Sequence, residues 1–251
     1  MPRVLPRPTE LGLKAIVYDL DGVVTRTADL HAAAWKALFD RYLEDRAART
    51  GTPFVPFDIA GDYRTYVDGK PRYDGVASFL ASRGISLPLG APGDPPDAET
   101  IHGLGDRKNA LFGAVLEEKG VTVFPGARRF IENTRAAGIR AAICSSSKNA
   151  RLILERAGMV DLFDFIMDGL VAAERKLPGK PRPDTFIEAA RQVGATPSEA
   201  AIVEDATVGV EAGRAGGFAL VIGVDQGVGA DTLRAHGADV VVSDLGEFER
   251  V

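Results

Sequence analysis

The chain has 251 residues, of which 45% are hydrophobic and 26% are charged, and its formal net charge is -5. This length and composition exclude an extended disordered chain and provide enough apolar residues for one or two hydrophobic cores. The acidic balance argues against a general nucleic-acid or membrane-surface role, because phosphate backbones and anionic lipids call for a basic face. We therefore expect no nucleic acid and no membrane among its partners.

Targeting signals and cysteine chemistry are both unremarkable in this sequence. Residues 1–10 are polar and rich in Pro and Arg, unlike the hydrophobic stretch of a secretory signal, and no apolar run reaches the length of a membrane-spanning helix. We expect a cytoplasmic protein that acts as a monomer. The single cysteine, Cys144, ends an apolar run, which predicts a small buried side chain rather than a nucleophile.

The first predicted strand runs directly into two carboxylates, those of Asp19 and Asp21. Side chains two positions apart on an extended strand point to the same face, so these groups repel each other unless a cation or a proton separates them. The pattern predicts a Mg²⁺ site or an acid/base pair at the end of this strand. A polar turn is the alternative interpretation, because Asp and Gly are common turn residues.

A helical segment follows, in which apolar residues recur at helical spacing and no convincing strand intervenes. The predicted helices cover residues 29–48, 73–83 and 106–119. The Pro- and Gly-rich stretch 87–96 is interpreted as a loop within this segment. We predict a helical domain at 29–122, inserted into a second domain that comprises 1–28 and 123–251.

From residue 124 onward, strands and helices alternate. The predicted helices cover residues 127–137, 150–157, 184–193, 208–215 and 231–235. The predicted strands cover residues 139–144, 163–167, 200–203, 219–224 and 239–242. This alternation indicates an α/β fold with a parallel sheet. Ligands of such open sheets gather at the carboxyl ends of the strands, so the polar residues that follow each strand are candidates for function.

Two further strand ends carry such polar residues. Residues 145–149 follow the strand 139–144 and open the next predicted helix, where N–H groups and the helix dipole suit a phosphate, although a serine cluster there also serves as an ordinary N-cap. Glu204 and Asp205 follow the strand 200–203, and with the first acidic pair they would form a cluster that needs a hard cation. Lys180 would supply a positive charge to the same site. The alternative interpretation is an ordinary surface lysine.

These motifs carry a resemblance to a known superfamily. Asp19-Leu20-Asp21-Gly22-Val23, Ser145, Lys180-Pro181 and Glu204-Asp205 resemble, in order and spacing, the four motifs of the haloacid dehalogenase (HAD) superfamily of phosphotransferases and phosphatases. The insert resembles the helical cap of the β-phosphoglucomutase subfamily through residues 25–35, Gly69-Lys70-Pro71-Arg72 and Asp106-Arg107-Lys108-Asn109. The resemblance covers nearly the whole chain after Leu13. It implies a doubly wound, Rossmann-like core with a small α-helical cap inserted after the first strand.

The resemblance also implies roles for the core residues. Asp19 would attack a phosphoryl group to form an aspartyl phosphate, while Asp21 would donate and remove the proton on the substrate oxygen. Lys180, Ser145 and the N–H groups nearby would offset the phosphate charge. The cofactor would be Mg²⁺, held by Asp19, the Asp21 carbonyl and Asp205, with Glu204 reaching the metal directly or through water.

Further residues are predicted to bind the substrate, a small-molecule sugar phosphate. By resemblance, the distal phosphate would be held by Arg72, Ser147, Lys148 and Asn149, and Thr25 and Ser146 complete the predicted substrate-binding set. His31 and Lys108 would couple cap closure to the positioning of Asp21. Without the resemblance, His31 reads as a polar contact on an apolar helix and Lys108 as a solvated charge.

Three functions are compatible with these residues. The favoured one is a Mg²⁺-dependent β-phosphoglucomutase that interconverts β-D-glucose 1-phosphate and glucose 6-phosphate through a bisphosphate. The alternative is a sugar-phosphate phosphatase, in which water accepts the phosphoryl group. A non-catalytic phosphate-responsive module is the third, against which the helical insert argues, because a lid over a reactive acyl phosphate fits catalysis.

Overall fold

The computed structural model describes residues 5–248. The chain divides into two compact units, which we call the core and the cap. The core comprises the chain up to Arg26 and from Val121 onward, and the cap comprises Thr27–Gly120. The core is an α/β unit and the cap is helical, with the insertion after the first strand, so the predicted fold class is confirmed.

The core is built on a six-stranded parallel sheet with the order β3-β2-β1-β4-β5-β6. Its strands are β1 (Ala15–Tyr18), β2 (Arg140–Cys144), β3 (Phe165–Met167), β4 (Ala200–Glu204), β5 (Leu220–Val224) and β6 (Val240–Val242). These segments are short apolar runs buried on both faces, as is usual for strands of a parallel sheet. The topological switch point lies at β1, which pairs with β2 on one side and β4 on the other.

The register of β1 determines which residues meet at the carboxyl edge of the sheet. Tyr18, its last residue, aligns with Ile143 of β2 and with Val203 of β4. The residues that directly follow these three positions therefore share one edge, which is where open α/β sheets bind their ligands.

The cap contains α1 (Ala28–Thr50), α2 (Arg72–Ser82) and α3 (Ile101–Lys119), together with a π-helical segment at Ile59–Val67 that the sequence patterns did not predict. α3 begins five residues before its predicted start at 106, because the Thr100 hydroxyl accepts the Gly103 N–H at 3.0 Å and caps the helix there. The predicted loop 87–96 is anchored to this helix start, since the Pro88 carbonyl accepts the Ile101 N–H at 3.0 Å.

Helices cover both faces of the sheet in the core. They are α4 (Pro125–Ala136), α5 (Ala150–Arg156), α6 (Gly169–Glu174), α7 (Asp184–Gln192), α8 (Thr207–Ala215) and α9 (Ala230–Ala235). Phe186 of α7, Val210 of α8 and Leu233 of α9 pack on the sheet face that carries Val17. On the opposite face, Tyr18 contacts Phe130 of α4 edge to face, with ring centroids 6.3 Å apart. Among the helices of residues 5–248, none combines the length and hydropathy needed to span a bilayer.

α6 is the core helix that the sequence patterns missed. It spans six residues, which is too short for a helical period to be visible. Its start is specified by Asp168, whose carboxylate accepts the N–H groups of Leu170 and Val171 at 2.9 Å each. An acidic N-cap after a strand was therefore the available sequence signal for this helix.

The cap has a hydrophobic core of its own, centred on aromatic rings. Phe39 lies at its middle, with its ring centroid 4.1 Å from Phe79, 5.2 Å from Phe57 and 5.2 Å from Trp35. Clustered rings of this kind contribute both buried apolar area and edge or offset contacts. The cap can therefore hold its three helices together by internal packing.

We expect Phe39→Ala to lower the free energy of unfolding of the cap by about 3–5 kcal/mol, because it leaves a cavity among the rings. Chemical denaturation followed by the fluorescence of Trp35, the one tryptophan of the chain, measures this. Phe54 is 44% exposed, so Phe54→Ala is the matched control and should change the value by less than about 0.5 kcal/mol. Equal losses in the two variants would contradict this account of the cap core.

Candidate active site

Lys180 joins the ends of three strands. Its ammonium group donates to Asp19 Oδ1 at 2.5 Å, to Glu204 Oε1 at 2.5 Å and to the Cys144 carbonyl at 3.2 Å. These three partners lie at the ends of β1, β4 and β2. The alternative that Lys180 is a surface lysine is therefore wrong.

Burial determines the electrostatic properties of Lys180 and the two carboxyl groups bonded to it. Lys180 is 4% exposed and Glu204 is 1% exposed. Burial opposes the charged form of Lys180, but the carboxylates of Asp19 and Glu204 more than offset this and raise its pKa well above the usual range. Burial also raises the pKa of Asp19 to about 8, with Lys180 acting against this rise and the charges of Glu204 and Asp21 adding to it. The carboxylates thus outnumber the one ammonium group, and a further cation would stabilise their ionised forms.

The polypeptide turns sharply after β1. The Asp21 N–H donates to Asp19 Oδ2 at 2.9 Å, and the Gly22 N–H donates to the Thr25 carbonyl at 2.8 Å. The two aspartates therefore lie on a tight loop, not on an extended strand as the sequence suggested, because β1 ends at Tyr18. The loop still brings the charges together, since Asp21 contributes to the raised pKa of Asp19.

Gly22 allows Asp205 to approach this loop closely. Gly22 has a φ of +90°, and a Cβ placed on it would lie 2.0 Å from Asp205 Oδ2. Any other residue would be strained there and would displace the carboxylate. Asp205 therefore reaches the backbone of the loop that carries Asp19 and Asp21.

This donor set fits Mg²⁺. Within residues 5–248, no three side chains of His, Cys, Asp or Glu form a complete metal site. Mg²⁺ does not need one, because proteins commonly hold it by one or two carboxylates, with water and substrate phosphate as the remaining ligands. Asp19 and Asp205 supply hard carboxylate oxygens, and Gly22 leaves the space in which the Asp205 carboxylate lies against the loop that follows Asp19.

Both oxygens of Glu204 accept hydrogen bonds within the core. Its Oε1 accepts from Lys180, and its Oε2 accepts the Ala206 N–H at 2.7 Å. Gly209 of α8 leaves room for it, since a Cβ there would lie 1.9 Å from Oε1. Glu204 therefore orients Lys180 together with Asp19, and its predicted contact with the metal, direct or through water, stays a prediction.

The serine-rich segment lies in a loop after β2. α5 begins at Ala150, as predicted, so residues 145–149 form the loop that leads into the helix. Ser145 Oγ accepts the Ser147 N–H at 3.1 Å, and Ser147 Oγ accepts the Asn149 N–H at 3.1 Å. The hydroxyls therefore shape the loop, and the Ser145 hydroxyl can still donate its proton to a phosphate oxygen.

Thr25 has a structural role. It is fully buried, and its hydroxyl donates to the Leu20 carbonyl at 3.3 Å. Its backbone also pairs with Val123, where the two segments of the core chain meet. Thr25 closes the loop that carries the aspartates, and the predicted contact of its side chain with substrate stays a prediction.

In the cap, Lys108 contacts His31. Lys108 is 4% exposed, and its Nζ lies 2.5 Å from His31 Nδ1. The same ammonium group lies 5.0 Å from the ring centroid of Trp35 and 4.9 Å from that of Phe112, which are cation–π distances. The alternative that Lys108 is a solvated charge is wrong. The predicted coupling of this pair to Asp21 stays a prediction.

Arg72 is the first residue of α2, and its side chain is held within the cap. Its Nη2 donates to Asn109 Oδ1 at 2.7 Å, and its Nη1 lies 3.4 Å from Asp106 Oδ1. Both acceptors belong to the cap motif Asp106-Arg107-Lys108-Asn109, but the sequence alone predicted no role for them. Their separation of three residues on a helix, which places them on one face, was the available signal.

Comparisons with known proteins agree with this geometry. The family model described as haloacid dehalogenase-like hydrolase matches residues 13–217. The chain is 52% identical over 249 residues to the "Beta-phosphoglucomutase" of Mycobacterium tuberculosis (strain CDC 1551 / Oshkosh), a match that covers 98% of this chain and 94% of that protein. It is 30% identical over 239 residues to the "Beta-phosphoglucomutase" of Bacillus subtilis (strain 168), with 94% and 95% covered.

The chain therefore belongs to the haloacid dehalogenase superfamily and, within it, to the β-phosphoglucomutase-like subfamily. A solved structure of β-phosphoglucomutase from Clostridium difficile has the same fold, with a TM-score of 0.74 at 24% identity over 94% of this chain and 92% of that one. The prediction of an enzyme, a phosphotransferase or phosphatase of this superfamily, is confirmed. The non-catalytic alternative is set aside.

Lys180→Met should destabilise the core by about 3–5 kcal/mol near neutral pH, because it leaves the buried carboxylates of Asp19 and Glu204 without a cation. Lys180 is also the group that lowers the pKa of Asp19, so without it burial and the charges of Glu204 and Asp21 hold that pKa still further above its unfolded value. Because the pKa of Asp19 is about 8 in the wild-type protein, the variant's deficit should be smaller at pH 6, where Asp19 is protonated in both folded proteins, and larger at pH 9, where only the wild-type Asp19 ionises readily.

Urea denaturation of wild type and variant at both pH values measures this effect. Lys119→Met is the matched control, because Lys119 is exposed at the end of α3, and it should change the free energy of unfolding by less than about 0.5 kcal/mol. A deficit that is equal at the two pH values, or is absent, would contradict the assigned charge balance.

Proposed function

We propose that the protein is a Mg²⁺-dependent phosphotransferase that works through an aspartyl phosphate on Asp19, with β-D-glucose 1-phosphate and glucose 6-phosphate as its substrates. The observation that carries the proposal is the fixed orientation of the Asp19 carboxylate. One oxygen is bonded to Lys180 and the other to the Asp21 N–H. A nucleophile held from both sides needs little reorganisation before it attacks phosphorus.

The proposed chemistry has two half-reactions. Asp19 attacks the phosphoryl group of a bisphosphate donor, the bond from phosphorus to the sugar oxygen breaks, and Asp21 donates a proton to that oxygen. Asp21 then removes the proton from the acceptor hydroxyl, whose oxygen attacks the aspartyl phosphate and releases Asp19 as a carboxylate. Asp21 thus gives one proton to the departing sugar oxygen and takes another from the acceptor hydroxyl, as general acid and then as general base.

Three groups of the core would offset the charge of the transferring phosphoryl group. Lys180 provides a buried ammonium group beside the nucleophile, and Ser145 provides a hydroxyl. Mg²⁺, when bound by Asp19, Asp205 and the Asp21 carbonyl, would act as a Lewis acid toward the phosphoryl oxygens. Glu204 would keep Lys180 in place.

The remaining assignments also belong to this proposal. Arg72, Ser146, Ser147, Lys148 and Asn149 would bind the distal phosphate of the sugar, and His31 with Lys108 would help to position Asp21. A mutase needs such groups, because it must hold the substrate by its non-reacting phosphate and keep water from the phosphoenzyme. We further propose that the protein acts in the cytoplasm as a monomer.

Glucose as the sugar is supported by the names of the relatives at 52% and 30% identity. A sugar-phosphate phosphatase is the second candidate, and the hydrolase description of the family model supports it. The two candidates share the first half-reaction and differ in whether a sugar hydroxyl or water accepts the phosphoryl group. A single assay can separate them.

In this assay, purified protein and Mg²⁺ are mixed with β-D-glucose 1-phosphate and trace glucose 1,6-bisphosphate, and glucose 6-phosphate and free phosphate are followed in parallel. We expect rapid isomer formation with little free phosphate. Phosphate release that keeps pace with substrate loss would replace the mutase by the phosphatase.

The matched variant is Asp19→Asn, which removes the nucleophile while retaining size and hydrogen-bonding capacity. We expect it to lower turnover by about 10⁴-fold or more, with the circular dichroism spectrum unchanged. Unchanged turnover in a folded Asp19→Asn protein would overturn the aspartyl-phosphate mechanism for both candidates.

A further inference from the structure

Three side chains of α3 hold the first two residues of α2. Asp106 Oδ1 accepts the Tyr73 hydroxyl at 2.8 Å and lies 3.4 Å from Arg72 Nη1. Asn109 Oδ1 accepts from Arg72 Nη2 at 2.7 Å. The ring of His102 packs against that of Tyr73, with centroids 4.0 Å apart.

The sequence of α3 is suited to this contact. His102, Asp106 and Asn109 are separated by four and three residues, which places them on one face of the helix. Gly105 leaves the space for the aromatic ring, since a Cβ there would lie 2.6 Å from the ring atoms of Tyr73. α2 and α3 can therefore approach each other closely here only because Gly105, which precedes Asp106, has no side chain.

The charge of Arg72 makes this contact necessary. Arg72 is the first residue of α2, so its guanidinium lies at the positive end of the helix dipole, where a cation is disfavoured. Its side chain is only 12% exposed, and burial lowers the pKa of Arg72, while Tyr73 and Asp106 act in the opposite direction. A guanidinium in this setting requires nearby acceptors, and Asp106 and Asn109 provide them.

We propose that Asp106 is a positioning residue that, together with Asn109, fixes the guanidinium of Arg72 for phosphate binding. Tyr73 in turn holds Asp106, because the bond from the Tyr73 hydroxyl to Asp106 Oδ1, at 2.8 Å, is shorter than the 3.4 Å contact from Arg72 Nη1. The planar fork of an arginine recognises phosphate well only when it is correctly oriented. This inference rests on the proposed function, in which Arg72 binds the distal phosphate of the sugar.

The test compares Asp106→Ala with Asp106→Asn, which keeps an acceptor oxygen. Asp106→Ala should raise the half-saturating concentration of glucose 1,6-bisphosphate about tenfold or more, because the phosphate-binding group loses its orienting contact. Hydrolysis of a small aryl phosphate, which has no distal phosphate, should change by less than about twofold. Asp106→Asn should recover most of the bisphosphate affinity.

Glu118→Ala is the matched control, because it removes an exposed acid from the same helix, and it should behave as wild type in both assays. Tighter bisphosphate binding by Asp106→Ala would overturn the inference, since it would mean that Asp106 competes with phosphate for Arg72. Equal losses in the bisphosphate and aryl phosphate assays would also overturn it, because they would indicate a merely structural role.

A second readout is independent of activity. The Nε–Hε signal of Arg72, assigned by its absence in Arg72→Lys, should show an ordered side chain in wild type and increased fast motion in Asp106→Ala. Unchanged order in Asp106→Ala would overturn the positioning role alone. Failure of the wild-type protein to form glucose 6-phosphate would instead overturn the proposed function.

Discussion

The bonds of the buried Lys180 ammonium group to Asp19 and Glu204 are the interaction on which the core site depends. A parallel sheet brings the carboxyl ends of β1, β2 and β4 to one edge, and the sequence places acidic residues at two of these ends. Carboxylates that are buried together repel each other and are costly to desolvate. One ammonium group bonded to both strand ends makes this concentration of charge compatible with a folded protein, and it also fixes the orientation of the nucleophile.

The two units carry different parts of the proposed chemistry. The core holds the aspartates, the serine-rich loop and Lys180 at the carboxyl edge of the sheet, where Gly22 and Gly209 leave room for the side chains of Asp205 and Glu204. In the cap, Lys108 and Arg72 are the cations assigned to the proposed chemistry, and each is in contact with other cap side chains. In both units the charged groups are oriented by neighbouring side chains, which lowers the reorganisation that binding and reaction require.

The parts of the fold that the sequence predicted are those that local patterns encode. The alternation of strands and helices is visible as runs of apolar residues, and the acidic residues after β1 and β4 are adjacent in sequence to those strands. What the sequence did not reveal depends on contacts between distant residues. The bond of Lys180 to Glu204, the burial of Thr25 and the contact of Asp106 with Arg72 arise only when separate segments meet. The short α6 was missed because six residues carry too little periodicity.

The most direct test of the central claim is the site of phosphorylation. The protein is mixed with glucose 1,6-bisphosphate and Mg²⁺, quenched with acid within seconds, digested and examined by mass spectrometry. The account predicts a phosphate-sized mass increase on the peptide that contains Asp19, which is lost on treatment with hydroxylamine and is absent from Asp19→Asn. A phosphoryl group on another residue, such as Ser145, or no covalent adduct during active turnover, would contradict it.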